Sequence, residues 1–136
     1  MMHENSVAIL PSAPTLIRNR DVEHGFRQDS DFMYLSGFNE PESVIVLVPN
    51  RKQGEFVLFC RERDPVKETW DGRRFGVDGA VEHFDADAAY PIDDLEEIYV
   101  QGRDGQVVQL GSLGRFVELP EDKTIYHKNL QRVVYV

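Results

Sequence analysis

The chain has 136 residues, a length that fits one domain and can bury roughly two thirds of the surface of its unfolded form. A formal net charge of −9 disfavours nucleic-acid binding, because phosphates would be repelled, and a single cysteine excludes an intrachain disulfide. The longest aliphatic run has five residues and the first residues carry no signal-peptide pattern, so we expect a cytoplasmic protein without a membrane partner.

The first half of the chain predicts short strands separated by polar loops. Residues 6–10 form an apolar run that stops at a proline, which indicates a buried strand. Residues 18–31 are dense in charge without a period and are expected to form a loop, whereas the aromatic-rich residues 32–35 indicate a short strand. Residues 44–48 give the clearest buried strand, because they are β-branched and uninterrupted, and residues 55–60 predict its antiparallel return after a polar loop.

The second half of the chain mixes strand and helix signals. Residues 61–80 are charged and contain several glycines, which favours a loop. Residues 88–92 predict an edge strand, because the proline at position 91 lacks the N–H that a central strand needs. Residues 93–98 begin like a helix, with acidic residues in the first turn, but Asp-Gly at 104–105 between β-prone arms predicts a hairpin.

The helix start and the hairpin conflict near residue 98, where the charge also changes. The residues before this point carry 10 basic and 20 acidic side chains, a net of −10, and the remaining ones carry 5 and 4, a net of +1. Residues 124–127 and 132–136 predict one more strand pair. We therefore divide the chain into a domain of residues 1–98 and a β-rich tail of residues 99–136, which we expect to pack on the same domain.

No segment shows a complete catalytic or metal-binding pattern. The four histidines include no ligand-spaced pair, and the serines include no Gly-x-Ser-x-Gly turn. Cys60 ends a predicted strand, which favours a buried apolar thiol over a nucleophile. The glycines between residues 72 and 79 are spaced unlike a phosphate-binding loop. We therefore expect no catalytic residue and no metal site in this chain.

One unusual segment combines the single tryptophan, Trp70, with two arginines, Arg73 and Arg74, among glycines. A tryptophan in a glycine-rich loop is often a partial core residue. Tryptophan and arginine together are also typical of the residues that dominate binding energy at interfaces. From these residue types alone both interpretations remain open.

Five segments together resemble the N-terminal domain of bacterial Xaa-Pro aminopeptidases (aminopeptidase P), in the same order and spacing over about residues 5–98. They are residues 17–21 (Ile-Arg-Asn-Arg-Asp), 26–42 (around Phe-Met-Tyr-Leu-Ser-Gly-Phe-Asn-Glu-Pro-Glu), 58–63, 70–76 (Trp-Asp-Gly-Arg-Arg-Phe-Gly) and 90–94. The resemblance implies an α/β domain with a mixed β-sheet and flanking helices, of the creatinase/prolidase N-terminal type.

The same resemblance implies where the chemistry of the family lies. A "pita-bread" catalytic domain follows this domain in the family, binds two Mn²⁺ ions and hydrolyses the bond before a penultimate proline. No stretch of this sequence is similar to that domain, so the resemblance places Mn²⁺ and the peptide substrate in the full-length enzyme and predicts that this chain is inactive alone. It also implies a homo-oligomer or association with the family's catalytic domain.

Three residues carry the functional expectation over from the family. The resemblance places Trp70 near the substrate pocket of a neighbouring subunit, with Arg73 and Arg74 as further candidates. Because that contact comes from another subunit, we expect an exposed or half-exposed indole in the isolated chain. The main hypothesis is thus a non-catalytic domain that serves oligomerisation and partly lines a substrate pocket.

The tail departs from the family pattern, which extends the helix after residue 98. Residues 99–113, 124–129 and 133–136 are similar to part of a periplasmic domain of resistance–nodulation–division efflux transporters. Two hypotheses remain open: a chimeric chain joined from two sources, or a divergent family member. The alternative function is a non-enzymatic structural or binding module without the parent activity.

Overall fold

The computed structural model describes residues 6–97, 99–101, 106–113, 126–128 and 131–133. In chain order the elements are β1 (Ala8–Pro11), β2 (Ile17–Asn19), β3 (Val22–Glu23), α1 (Ser30–Ser36), β4 (Val44–Leu47), β5 (Phe56–Cys60), α2 (Pro65–Asp71), α3 (Gly76–His83), β6 (Ala88–Pro91), a 3₁₀ helix (Ile92–Glu97), β7 (Tyr99–Gln101), β8 (Val107–Gln109), α4 (Leu110–Leu113), β9 (Tyr126–Lys128) and β10 (Gln131–Val133). Within these ranges no helix has both the length and the apolar content needed to cross a membrane.

A four-stranded mixed sheet with the order β1-β4-β5-β6 forms the centre of the fold. The pairs β1–β4 and β4–β5 are antiparallel, and β5 pairs parallel with β6. The register places Val46 opposite Ile9 on one side and Val57 on the other. Because β4 and β5 are covered on both faces, their sequences are apolar without interruption. The predicted mixed sheet with flanking helices is confirmed.

The two faces of the sheet carry separate apolar clusters, as the alternation of side chains along a strand requires. On one face α1 and α3 cover the strands, and the buried members are Phe32, Phe38, Ile45, Leu58, Cys60, Ala80 and Ala86. On the other face the 3₁₀ helix and α4 provide the cover, and the buried members are Val44, Val46, Val57, Phe59, Leu95 and Leu110. The sheet is therefore the middle layer of the fold.

Several strand predictions are confirmed. The hairpin of residues 44–48 and 55–60 forms as β4 and β5, and the predicted edge strand at residues 88–92 forms as β6 at one edge of the sheet. The strand predicted at residues 6–10 begins at Ala8 and is only half-buried, because β1 is the opposite edge and has a neighbour on one side only. The loop predicted at residues 18–31 is only partly correct, because it contains most of an exposed hairpin made by β2 and β3 and the first two residues of α1.

The strand predicted at residues 32–35 is wrong, because these residues belong to α1. The Asp29 carboxylate caps the helix by accepting hydrogen bonds from the backbone N–H groups of Asp31 and Phe32, at 2.9 and 3.0 Å. Gly37 ends it in the left-handed conformation, with φ of 64°. Phe32 and Ser36, four residues apart, form its buried face. The capping residues therefore outweigh the aromatic composition that favoured a strand.

The loop predicted at residues 61–80 is also wrong, since it contains α2 and α3. Asp64 and Pro65 start α2 as cap and first helical residue, and Gly76 starts α3. The helix predicted to begin at residue 93 forms only as the 3₁₀ helix, which ends at Glu97. The short length of this helix removes the conflict with the following hairpin.

The hairpin predicted around residues 104–105 forms as β7 and β8, and the strand pair predicted at residues 124–127 and 132–136 forms in part as β9 and β10, while residues 124–125 and 134–136 lie outside the described residues. β7 and β8 pair antiparallel, with Tyr99 opposite Gln109, while the Asp-Gly turn of residues 104–105 lies outside the described residues. β9 and β10 also pair antiparallel, with Lys128 opposite Gln131. Leu110 joins the apolar cluster on the sheet. The boundary at residue 98 stays a prediction.

Candidate functional site

The predicted site residue Trp70 lies on α2, a helix in which none of the residues is buried. The Asp64 carboxylate caps it by accepting from the backbone N–H groups of Val66 and Lys67, at 3.0 and 3.2 Å. Gly72 ends it and donates its N–H to the carbonyl of Glu68. We refer to residues 61–75, which leave the end of β5 and return to the start of α3, as the α2 arm.

Trp70 lies in the last turn of this helix and is 86% exposed. Val66 stands four residues earlier on the same side of the helix and is 75% exposed. The predicted exposure of the indole is confirmed, although the residue sits on a helix rather than in a loop. Large apolar side chains that cluster on a surface mark an interaction site more often than isolated ones do.

The two arginines that follow Trp70 have different environments. Arg73 is exposed and forms no hydrogen bond or salt bridge within the parts of the chain that the structure describes. Arg74 is only 7% exposed, and its Nη2 donates to Asp71 Oδ2 at 2.9 Å. Its Nη1 donates to the carbonyl of Glu62 at 3.4 Å. Trp70 and Arg73 are therefore accessible to a partner, whereas Arg74 is committed to the arm itself.

Glu40 connects the base of the arm to the rest of the domain. Its Oε1 accepts a hydrogen bond from the backbone N–H of Phe75 at 2.8 Å, and its Oε2 lies 3.8 Å from Arg61 Nη2. Sequence reasoning assigned Glu40 only to a turn and did not single out Arg61. The sequence did contain a signal for Glu40: it lies between an apolar helix and the most apolar strand, where an acidic side chain is easily buried and then needs a partner.

A buried glutamine holds the turn that carries Glu40. The side-chain amide of Gln28 donates to the carbonyls of Phe38 and Glu40, both at 3.1 Å. Its Oε1 accepts from the backbone N–H groups of Ala13 and Asp29, at 2.8 and 3.0 Å. Four hydrogen bonds to one buried side chain fix the backbone before and after α1. The backbone that carries the Glu40 side chain is therefore held in place.

The arm also contains an ion pair between two exposed segments. Arg63 Nε and Nη2 donate to the two carboxylate oxygens of Glu68, each at 3.2 Å. This hydrogen bond lowers the pKa of Glu68, and the bond from the Lys67 N–H lowers the pKa of Asp64. Gly76 lies against Arg63, since a Cβ there would come within 2.6 Å of Arg63 Cγ, and its φ of 69° also favours glycine.

Cys60 lies beside this base but is not a nucleophile. Its side chain is fully buried. Burial, together with a smaller effect of the negative charge of Glu40 and against the opposing effect of Arg61, raises the pKa of the thiol to about 12. A thiol with this pKa is protonated at neutral pH and unreactive. The prediction of a buried apolar cysteine is confirmed.

The described residues contain no group of three or more His, Cys, Asp or Glu side chains that could hold a metal ion. They therefore do not fit a catalytic metal such as Mn²⁺. An open groove of about 470 Å³ beside α1 is lined by Phe26, Met33 and Tyr34 among others. The arm instead exposes the indole of Trp70 and, three residues later in the chain, the guanidinium of Arg73.

Comparisons with known proteins agree on one family. The model of the aminopeptidase P N-terminal domain matches residues 1–107. The Xaa-Pro aminopeptidase of Haemophilus influenzae is 40% identical over 97 residues, which are 71% of this chain and 23% of that protein. The Escherichia coli Xaa-Pro aminopeptidase is 38% identical over 116 residues, 85% of this chain and 26% of that protein. The chain thus spans about a quarter of the length of these relatives.

Solved structures give the same result. The Pseudomonas aeruginosa aminopeptidase PepP superposes with a TM-score of 0.69 and 63% identity, over 71% of this chain and 22% of that one. A low-pH form of E. coli aminopeptidase P gives a TM-score of 0.65 and 42% identity, over 70% and 22%. Another solved form of the E. coli enzyme is zinc-substituted and in complex with product.

Proposed function

The chain belongs to the aminopeptidase P N-terminal domain family, and from this membership we propose that it serves a Xaa-Pro aminopeptidase as a non-catalytic domain. In this role it promotes oligomerisation and presents Trp70 to the substrate pocket of a neighbouring subunit. The observation that carries the proposal is the exposure of Trp70 on a helix that buries none of its residues. No residue of this helix belongs to the apolar core of its own domain.

The side chains exposed on the arm suit contact with a peptide-binding pocket. An indole that docks against a neighbour removes roughly 200 Å² of mostly apolar surface from water, worth up to about 5 kcal/mol before ordering costs. The free guanidinium of Arg73 adds a charge that can pair with a carboxylate of a peptide or of the neighbouring subunit. Arg74 supports the arm from inside, so we assign it no direct contact with substrate.

We assign the metal to the catalytic domain of the family enzymes, and we propose that it is Mn²⁺. The described part of this chain has no ligand cluster for it. The substrate that follows from this assignment is a peptide with proline in the second position. The partners are the family's catalytic domain and further copies of the same subunit, in the cytoplasm.

A chimeric enzyme tests the proposed function. Residues 6–97 replace the matching segment of the P. aeruginosa enzyme, which is 63% identical, and turnover of an Arg-Pro-Pro peptide is measured with Mn²⁺. We expect an active chimera in which Trp70→Ala lowers kcat/KM at least about tenfold, as truncation of an interface tryptophan does. Val81→Ala, a change at an exposed residue of α3, is the control and should cost less than about twofold.

Two results contradict the proposal. One is a Trp70→Ala chimera as active as the unaltered chimera. The other is equal loss of activity in both variants, since a general defect would then explain the loss. Light scattering on the same samples reports the oligomeric state, and a fully active monomer also excludes a contribution of Trp70 to a neighbouring pocket.

A further inference from the structure

Three largely buried charged side chains either belong to the two ends of the α2 arm or contact them, and we call Glu40, Arg61 and Arg74 the arm clasp. Glu40 and Arg74 are each 7% exposed, and the side chain of Arg61 is largely buried. Burying charges costs free energy unless they are paired and hydrogen-bonded. In the part of the chain that the structure describes, the other buried side chains are apolar or uncharged, so Glu40 and Arg74 of the clasp are its buried charged residues.

The contacts of the clasp join segments that are far apart in the chain. The hydrogen bond from the Phe75 N–H to Glu40 spans 35 residues and reaches the last residue before α3. The salt bridge to Arg61 reaches the first residue after β5. One carboxylate therefore contacts the residue that begins the arm and the residue that ends it. Because no residue of α2 joins the apolar core, its direction depends largely on how these two ends are held.

The clasp is not arranged for maximal stability. Glu40 Oε2, Arg61 Nε and Arg74 Nε are buried and have no hydrogen-bond partner among the described residues. The 3.8 Å between Glu40 and Arg61 is a salt-bridge distance and too long for a good hydrogen bond. Apolar side chains of similar volume could fill the same space without leaving buried polar atoms unpaired. What the charged groups add is a defined direction, because hydrogen bonds are directional and apolar contacts are not.

We propose that Glu40 is a positioning residue that sets the direction in which the α2 arm presents Trp70 and Arg73. The carboxylate does not touch the partner. It acts by fixing the Phe75 backbone and the Arg61 guanidinium at the two ends of the arm. The use of this direction in a neighbouring subunit rests on the proposed function, but the positioning itself is a property of this chain alone.

The experiment compares Glu40→Ala, Glu40→Gln and Asp87→Ala in the 136-residue chain at a temperature well below unfolding. Asp87 is the matched control, because its carboxylate also accepts two backbone hydrogen bonds, from Glu55 and Phe56 at 2.9 Å, but far from the arm. Backbone ¹⁵N order parameters of residues 65–73 and hydrogen exchange of the Phe75 amide are the readouts, and thermal unfolding reports global stability.

We expect Glu40→Ala to lower the order parameters of residues 65–73 from about 0.85 towards 0.6 and to speed exchange of the Phe75 amide at least about tenfold. Glu40→Gln should restore slow exchange, because the amide oxygen still accepts from Phe75. Asp87→Ala should lower the unfolding temperature without loosening the arm. Unchanged order in Glu40→Ala, or equal loosening in Asp87→Ala, overturns the proposal.

If Glu40→Ala does not fold, Glu40→Asp takes its place, since it withdraws the carboxylate from Phe75 by one methylene. The arm should loosen, and wild-type order in this variant overturns the proposal. None of these readouts requires turnover. If Glu40→Ala loosens the arm but Trp70→Ala leaves the chimeric enzyme fully active, the proposed function is refuted and the positioning role stands. If Trp70→Ala lowers activity but Glu40→Ala leaves the arm ordered, the positioning role is refuted and the proposed function stands.

Discussion

The central sheet and the α2 arm are adjacent in the chain, but different forces hold them. All but the first residue of β5 are buried, whereas α2 begins five residues later and has no buried residue. Apolar contact on both faces holds the sheet, while caps, an ion pair and the clasp hold the arm. The difference separates two parts of the molecule: the sheet supplies stability, and the arm leaves Trp70 exposed for the contact that we propose. Substitutions in the two regions should therefore affect different measurements.

The largest expected effect is on the stability of the sheet. Phe59 is 1% exposed and packs against Tyr90, so Phe59→Ala should lower the free energy of unfolding by about 3–5 kcal/mol. Trp70→Ala, which removes an aromatic side chain of larger size from the arm, should change it by no more than about 0.5 kcal/mol. Urea unfolding followed by circular dichroism measures both. Similar losses in the two variants would contradict the division between sheet and arm.

The junction of the two regions should give an intermediate effect. Gly76→Ala places a Cβ against Arg63 at a backbone conformation with φ of 69°, so we expect a loss of about 1–3 kcal/mol. Gly25→Ala is the control, because nothing lies within 4 Å of the added Cβ, and it should be close to neutral. The same urea titration applies. A neutral Gly76→Ala would show that the start of α3 adjusts more freely than its contacts indicate.

A smaller effect is expected from pH, and it should be confined to the arm. The pKa values of Asp64 and Glu68 are lower in the folded chain than their ordinary values of 3.8 and 4.5, because the Lys67 N–H and Arg63 stabilise the ionised forms. This stabilisation is complete above the ordinary values and is lost as the pH falls through the lower folded values. Amide chemical shifts of α2 should therefore change towards coil as the pH falls below 4.5 and through the lowered pKa values of Asp64 and Glu68, before those of β4 and β5.

The double variant Asp64→Asn and Glu68→Gln provides the control for this titration. Asparagine still caps a helix but does not ionise, so the arm of the variant should respond less to pH. A titration of α2 that is identical in the variant would assign the change to other groups.

No measurable turnover is expected from the 136-residue chain by itself. Incubation with an Arg-Pro-Pro peptide and Mn²⁺ should release no free arginine above the blank, because no metal-ligand cluster is present in the described residues. The active chimeric enzyme serves as the positive control. Metal-dependent release by the chain alone would give the domain a catalytic role and remove the distinction between a stabilising sheet and a presenting arm.

Sequence reasoning was successful where a local pattern matches the final environment. The β-branched run of residues 44–48 predicted a central strand because both faces of that strand are buried. It failed at residues 32–35 and 61–80, because the prediction relied on aromatic or charged composition and overlooked the helix caps at Asp29, Asp64 and Gly37. The similarity of the tail to efflux transporters and the cytoplasmic location stay predictions. The family match itself extends to residue 107.

The sequence by itself determined the family, because its motifs follow one another in order along the chain, and the central hairpin, because its two strands are close together in the chain. Only the tertiary structure separated Arg73 from Arg74, since their identical side chains differ solely in what surrounds them. The clasp likewise required three dimensions, because Glu40 and Phe75 are 35 residues apart and no local pattern links them. Burial and direction are set by the packing of distant segments, and for that reason they were decided by the fold.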